Sequence, residues 1–324
     1  MTIEKPGFFD LQVNGFGGID FNGPDLTTSR VAEALDRMRQ TGVTRCLPTL
    51  ITSSLERFAR NARIVARTIH PAIAGLHMEG PYLSPEDGPR GAHPREHVRA
   101  ASIDDFNRRQ DAADGRILLV TLAPEVPGTL PLIEHLVASG VRAAIGHTGA
   151  TPAQIGDAVT AGATLATHLG NGCAQLLPRH PNVIWELLAA DGVWASLIAD
   201  GHHLPPATLK AMMRAKGPER TILVTDAVAA AGCPPGRYTI GGVENDLDDH
   251  GRVSLPGTPY LAGSSLTMDR AVANTCRFTR LAVDAVIPMA STIPANYLGT
   301  TAAGMITADW EPDACTLQVR SATS

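Results

Sequence analysis

Between Phe8 and Thr225 eight short apolar runs alternate with helical patterns, and this alternation leaves few folds open. The runs are Phe8–Val13, Thr44–Leu47, Ile73–Glu79, Ile117–Leu122, Ala143–Gly146, Thr164–Thr167, Trp194–Ile198 and Ile222–Thr225. Their length and apolar character are those of strands covered on both faces. The first helical pattern, Ser29–Gln40, puts Val31, Ala34, Leu35 and Met38 on one face, with Thr28 as its cap and Gly42 just past its end. Ser53–Ile69 is the second. Ser102 with Asp105 reads as a capping box, and Thr151-Pro152 opens a later helix. Further helices are expected at Leu130–Ala138, Val183–Ala190 and Ala207–Lys216. This order predicts an α/β fold, a (β/α)8 TIM barrel, over residues 6–310. The rival, an open doubly wound sheet, is weakened because no GxGxxG follows the first strand. After the eighth run, "RYTIGGVENDLDDHGRVSL" reads as a Gly-rich hairpin insert near residues 236–256. Helices follow near Leu266–Phe278 and Val283–Met289, and residues 311–324 read as a C-terminal tail.

Composition narrows the function. With 324 residues, 44% of them hydrophobic and 18% charged, the chain can bury a sizeable core. The net charge of -5 and the lack of a basic block disfavour nucleic acid as a ligand, because binding the phosphate backbone needs clustered Lys and Arg. The five cysteines form no CxxC pair, which fits a reducing compartment and disfavours a cysteine zinc site. The opening "MTIEKPGFFD" has no apolar signal core, and no run reaches the length of a membrane span. The expectation is a cytoplasmic enzyme with a small-molecule substrate and no membrane partner.

In such a barrel the chemistry sits at the C-terminal ends of the strands. Strand three ends in Glu79, strand five in His147, strand six in His168 and strand eight in Asp226. Strand seven ends in Asp200, with His202 and His203 just after it. A carboxylate closing an apolar strand is costly unless it is paired. Two imidazoles and one carboxylate make a three-ligand site for Zn2+ or a similar divalent ion. Such an ion lowers the pKa of water and polarises a carbonyl, while a free carboxylate such as Asp226 can move a proton to a leaving amine. That is amide hydrolysis. Taken singly, a strand-end histidine is more often a hydrogen-bonded structural residue; the weight lies in the coincidence of positions. His77 shares the face of Glu79 by alternation and is expected in the barrel interior rather than among the ligands.

The ordered stretches "PGFFDLQVNGFGG", "GVTRCLPTLITS", "GLHMEGPYLSPEDGPRGAH", "GHTGAT", "ATHLGNG", "IADGHHL", "LVTDA", "LAGSSLTM" and "YLGTTAAGMITAD" resemble the amidohydrolase superfamily. Within it the chain looks like the N-acetylglucosamine-6-phosphate deacetylase family. The resemblance implies one divalent ion, Zn2+ by default with Fe2+ or Mn2+ also compatible, held by Glu79, His147 and His168. It implies Asp226 as catalytic acid/base and His93 as the group that polarises the substrate carbonyl, with Ala92 beside it. It implies substrate contacts from Asn171, Gly172, Arg179 and His203, the arginine in some members coming from a neighbouring subunit of a homodimer. His202 is the alternative to His203. Leu261, Ala262 and Gly263 match a loop that closes over the sugar. The implied reaction converts N-acetylglucosamine 6-phosphate to glucosamine 6-phosphate and acetate. The alternatives are another amide or cyclic imide, and a non-catalytic barrel protein. Three departures stand out. Gln12-Val13-Asn14 replaces the HxH of many members, which fits a single-metal branch. Few residues precede strand one, so the usual flanking β-sandwich is expected to be missing or reduced. Leu169-Gly170-Asn171-Gly172 replaces aromatic-Asn-Ala after the sixth-strand histidine, leaving backbone N–H groups to bind a phosphate.

Overall fold

The structure, a computed structural model, describes residues 1–258 and 260–323. Eight strands form one parallel sheet: β1 (Phe8–Val13), β2 (Val43–Ile51), β3 (Leu76–Glu79), β4 (Ile117–Leu122), β5 (Arg142–Ile145), β6 (Leu165–Ala166), β7 (Trp194–Leu197) and β8 (Thr221–Leu223). Each strand pairs with the next in sequence, and the sheet curls until Val13, at the end of β1, bridges Ala227 just beyond β8. The helices α1 (Thr28–Arg39), α2 (Leu55–Arg67), α3 (Ile103–Ala112), α4 (Thr129–Ala138), α5 (Pro152–Ala161), α6 (Val183–Ala189) and α7 (Pro206–Lys216) follow the first seven strands. Three more, α8 (Met268–Thr279), α9 (Val283–Ala290) and α10 (Thr292–Tyr297), follow the insert. The expected (β/α)8 barrel is the observed fold. No helix among the described residues is long and apolar enough to cross a membrane.

Local differences from expectation have local causes. The cap of α1 is Thr27, whose hydroxyl accepts from the Arg30 amide, not Thr28, which is already helical. Ser102 caps α3, but the Asp105 carboxylate does not return to complete the box; it accepts from Tyr82 and Arg109 instead. β2 runs on through Pro48 because the β1–β2 register slips opposite it, where a missing N–H is tolerated. β3 is shorter than its apolar run, and Ile73 makes only an isolated bridge to Cys46.

The insert is a three-stranded antiparallel sheet, Gly236–Ile240, Val243–Leu247 and Val253–Ser254. Its two-residue turn is Gly241-Gly242, with φ of 57° and 91°, the positive values a tight hairpin turn demands. The turn is tied to the barrel top. The Gly241 amide donates to Asp20 (2.7 Å) and Arg57 donates to the Gly241 carbonyl (2.7 Å).

The residues read as a tail are not one. Met305–Glu311 pairs with Thr2–Pro6 on one side and with Thr316–Thr323 on the other, making a second three-stranded sheet. The signal was faint because, of Thr316–Thr323, only Leu317 is buried. This small sheet stands where a β-sandwich was expected to be reduced. It joins the barrel at the N-terminal ends of β1 and β2, through Gly7 N–H to Gly304 O and the Thr44 hydroxyl to Ala303 O.

Candidate active site

Glu79, His147 and His168 converge at the C-terminal end of the barrel. Glu79 Oε1 lies 3.1 Å from His147 Nε2 and 3.0 Å from His168 Nε2, and the two nitrogens are 3.0 Å apart. All three residues are buried, and among the described residues no other group of three His, Cys, Asp or Glu side chains comes together in this way. His147 Nδ1 sits 3.0 Å from the Pro89 carbonyl, which can only accept. Nδ1 therefore carries the proton, and Nε2 turns a bare lone pair towards Glu79 and His168. A buried carboxylate and facing imidazole nitrogens suit a shared cation, and the N2O donor set suits a divalent metal. Burial opposes ionisation of Glu79, but the His147 and His168 imidazoles that face it outweigh burial and hold the carboxyl well below its usual range.

The strand ends aim these groups by a common device. His147, His168 and Asp226 have φ of 52°, 31° and 50°, left-handed values that non-glycine residues adopt at a cost. The residue before each, Gly146, Thr167 or Thr225, faces the barrel interior. Gly146 has no room for a Cβ, which would meet Thr121 and Thr167 at 2.8 Å. Thr167 shares a 2.7 Å hydrogen bond with Thr121, and Thr225 donates to Asp10. Simple alternation would turn the following side chain outward; the left-handed step returns it to the site.

Residues 4–321 match the amidohydrolase family. This chain belongs to that family. It is 35% identical over 301 residues to the N-acetylgalactosamine-6-phosphate deacetylase of Escherichia coli O157:H7, covering 91% of this chain and 78% of the relative. It is 34% identical over 306 residues to the N-acetylglucosamine-6-phosphate deacetylase of Bacillus subtilis strain 168, covering 92% and 76%. A mutant N-acetyl-D-glucosamine-6-phosphate deacetylase from Mycobacterium smegmatis, solved in complex with N-acetyl-D-glucosamine-6-phosphate, superposes with a TM-score of 0.90 at 32% identity. That match spans 99% of this chain and 85% of the other.

Around the three converging groups this amidohydrolase places two neutral amides, Gln12 and Asn14, from the stretch that replaces HxH. Gln12 Nε2 donates to Glu79 Oε1 (2.9 Å), and Asn14 Nδ2 donates to Asp226 Oδ1 (2.7 Å). Burial raises Asp226 to about 6, with the Glu79 charge adding to the effect. His93 packs edge-on against His147, ring centroids 4.3 Å apart. Burial lowers His93 to about 3, so its imidazole is neutral at neutral pH. Its Nδ1 lies 2.9 Å from the Thr52 hydroxyl, and when that hydroxyl donates, Nε2 keeps the proton. His77 is not part of the converging set. It sits one layer below, between the Leu11 carbonyl (3.1 Å) and the Thr121 hydroxyl (2.8 Å).

The remaining expected contacts divide. Asn171 donates through its backbone and side-chain amides to the His168 carbonyl, and Gly172 lies against the His147 ring. Gly263, with Ala262 and Leu261 before it, packs against Val228 and the Asp226 carbonyl. His203 is held by Asp200 (2.6 Å), whereas His202 turns to the His250 carbonyl, so His203 is the member of the pair whose charge Asp226 feels. Ala92 is half-buried next to His93. Arg179 is not brought in: it is exposed, and no hydrogen bond or ion pair joins it to the described residues.

Proposed function

We propose that this chain hydrolyses the N-acetyl amide of a hexosamine 6-phosphate, N-acetylglucosamine 6-phosphate first, releasing acetate and the free amine. The observation that carries the reading is the buried convergence of Glu79, His147 and His168 beside Asp226, in a chain with deacetylase relatives along nearly its whole length. In this reading Glu79, His147 and His168 would hold one divalent ion, Zn2+ by the donor set. When bound, that ion supplies a Lewis acid and lowers the pKa of water.

The chain's own groups do the rest. Asp226, ionised and held by Asn14, takes the proton of the attacking water and passes it to the departing amine. Neutral His93 donates from Nε2 to the acetyl oxygen as negative charge develops there. Asn171, Gly172 and the loop at Leu261–Gly263 are assigned to the sugar. Arg179 and His203 are assigned to its phosphate, with Arg179 reaching its own substrate or that of a second copy in a homodimer. The five unpaired cysteines fit action in a reducing cytoplasm.

The test is acetate release by the Zn2+-loaded protein from N-acetylglucosamine 6-phosphate, its galactosamine epimer and both unphosphorylated sugars. Turnover of a phosphorylated sugar is expected; no acetate from any of them overturns the reading. Asp226→Asn should keep its metal and lose about 10²- to 10⁴-fold in kcat. Glu79→Gln should lose metal, read by elemental analysis after dialysis.

A further inference from the structure

One carboxylate in the barrel has no place in the chemistry above. Asp10 is fully buried in the middle of β1, and burial raises it to about 7. Its surroundings explain why it is there. Every neighbouring pair of barrel strands is joined by a ladder except the first and the last. β8 ends at Leu223, so Val224, Thr225 and Asp226 run alongside β1 without regular pairing until the Val13–Ala227 bridge. The β1 register is itself irregular between Asp10 and Val13.

Asp10 fills this gap. Its Oδ1 accepts from the Gln12 amide (3.1 Å) on its own strand and from the Thr225 amide (3.2 Å) across the seam. Its Oδ2 accepts from the Thr225 hydroxyl (2.5 Å). That hydroxyl also accepts from the Ala227 amide (3.1 Å). The two residues so fixed both lead into the site. Gln12 receives the Asp226 amide on its carbonyl (2.9 Å) and reaches Glu79 with its side chain. Thr225 precedes Asp226, whose left-handed φ leaves its carboxylate to be aimed by whatever holds the residue before it.

We infer that Asp10 is a positioning residue: it clasps β1 to the Thr225–Asp226 segment through the Thr225 hydroxyl, and so holds the Asp226 carboxylate against Asn14. The kinetic consequence rests on the deacetylase reading; the structural one does not. Thr225→Val removes the hydroxyl at nearly constant shape, Thr225→Ser keeps it, and Asp10→Asn removes the charge.

For Thr225→Val the expected result is a kcat lower by about 10- to 100-fold, the scale of a misplaced catalytic group. KM should stay within about twofold, since no substrate contact is touched. Thr225→Ser should restore most of kcat. The Asp10→Asn/Thr225→Val double variant should be no slower than the slower single one, because both break one clasp. In a crystal structure of Thr225→Val the Asn14–Asp226 contact should open from 2.7 Å to beyond hydrogen-bonding distance. A Thr225→Val kcat within twofold of wild type, or an unmoved Asn14–Asp226 contact, overturns the inference. If Asp10→Asn does not fold, the Thr225 pair carries the test. If the wild type releases acetate from no sugar, the deacetylase reading fails and the crystallographic comparison alone decides the clasp.

Discussion

Gly172 shows how narrowly the site is built. Its φ is +57°, and a Cβ there would come within 2.9 Å of His147 Nδ1, the nitrogen that donates to Pro89. Gly172→Ala should therefore turn the His147 ring and weaken metal binding by about 10- to 100-fold, the usual cost of disturbing a ligand's support. Chelator competition would measure it, and unchanged affinity would refute the reading. Asp226 sets a pH dependence. It must be ionised to accept a proton, so kcat/KM should fall about tenfold per pH unit on the acid side. The midpoint should lie no higher than about 6, because a bound cation nearby moves it down and never up. Glu79, His147 and His168 were legible because each is an ionisable group closing an apolar run. Gln12 and Asn14 were not, since a neutral amide has no such signature until its carboxylate partner is seen. Asp10 carried the same signature as Glu79, a carboxylate inside "FFDLQV", and the same reasoning about buried charge would have found it.

Elements were legible where their pattern is self-contained and less so where a neighbour completes them. The start of α5 is local, and Thr151-Pro152 marks it in the sequence; the structure adds a complete capping box with Gln154, whereas the box expected at α3 fails because Tyr82 and Arg109 compete for Asp105. The end of α6 is completed from outside as well. Its cap residue, Ala190, is extended rather than left-handed, and the last carbonyls find Lys216 at the end of α7 instead. The buried ammonium donates to Leu187 O (2.8 Å), Leu188 O (3.4 Å) and Ala190 O (2.7 Å). A cation at a helix C-terminus also complements its dipole. Lys216→Met keeps the stem and removes the donors to the buried Leu187 and Leu188 carbonyls, while Ala190 O keeps the Val193 amide, and should cost about 1–3 kcal/mol. The urea midpoint would report it. A midpoint equal to wild type would mean that those carbonyls find other partners.

At the scale of the whole molecule, the alternation of strands and helices was readable because the barrel strands are largely buried and so mostly apolar. The small terminal sheet lacks that property. "TIEKP" and "TLQVRSAT" are half exposed and polar, and they become strands only because Met305–Glu311 lies between them. That middle strand alternates cleanly, with Ile306, Ala308 and Trp310 buried and their neighbours more exposed. The sheet meets the barrel at the N-terminal ends of β1 and β2, away from the strand ends that carry Glu79, His147, His168 and Asp226. Its contribution should therefore be to stability and not to turnover. Trp310 is the largest side chain it buries, at 5% exposure. Trp310→Ala should cost about 3–5 kcal/mol, the range for deleting a buried aromatic. At 25 °C, below the lowered melting temperature, kcat and metal content should match wild type. A variant that melts normally would remove the sheet from the stability of the fold. One that melts early and also loses metal would show that the two ends of the barrel are coupled.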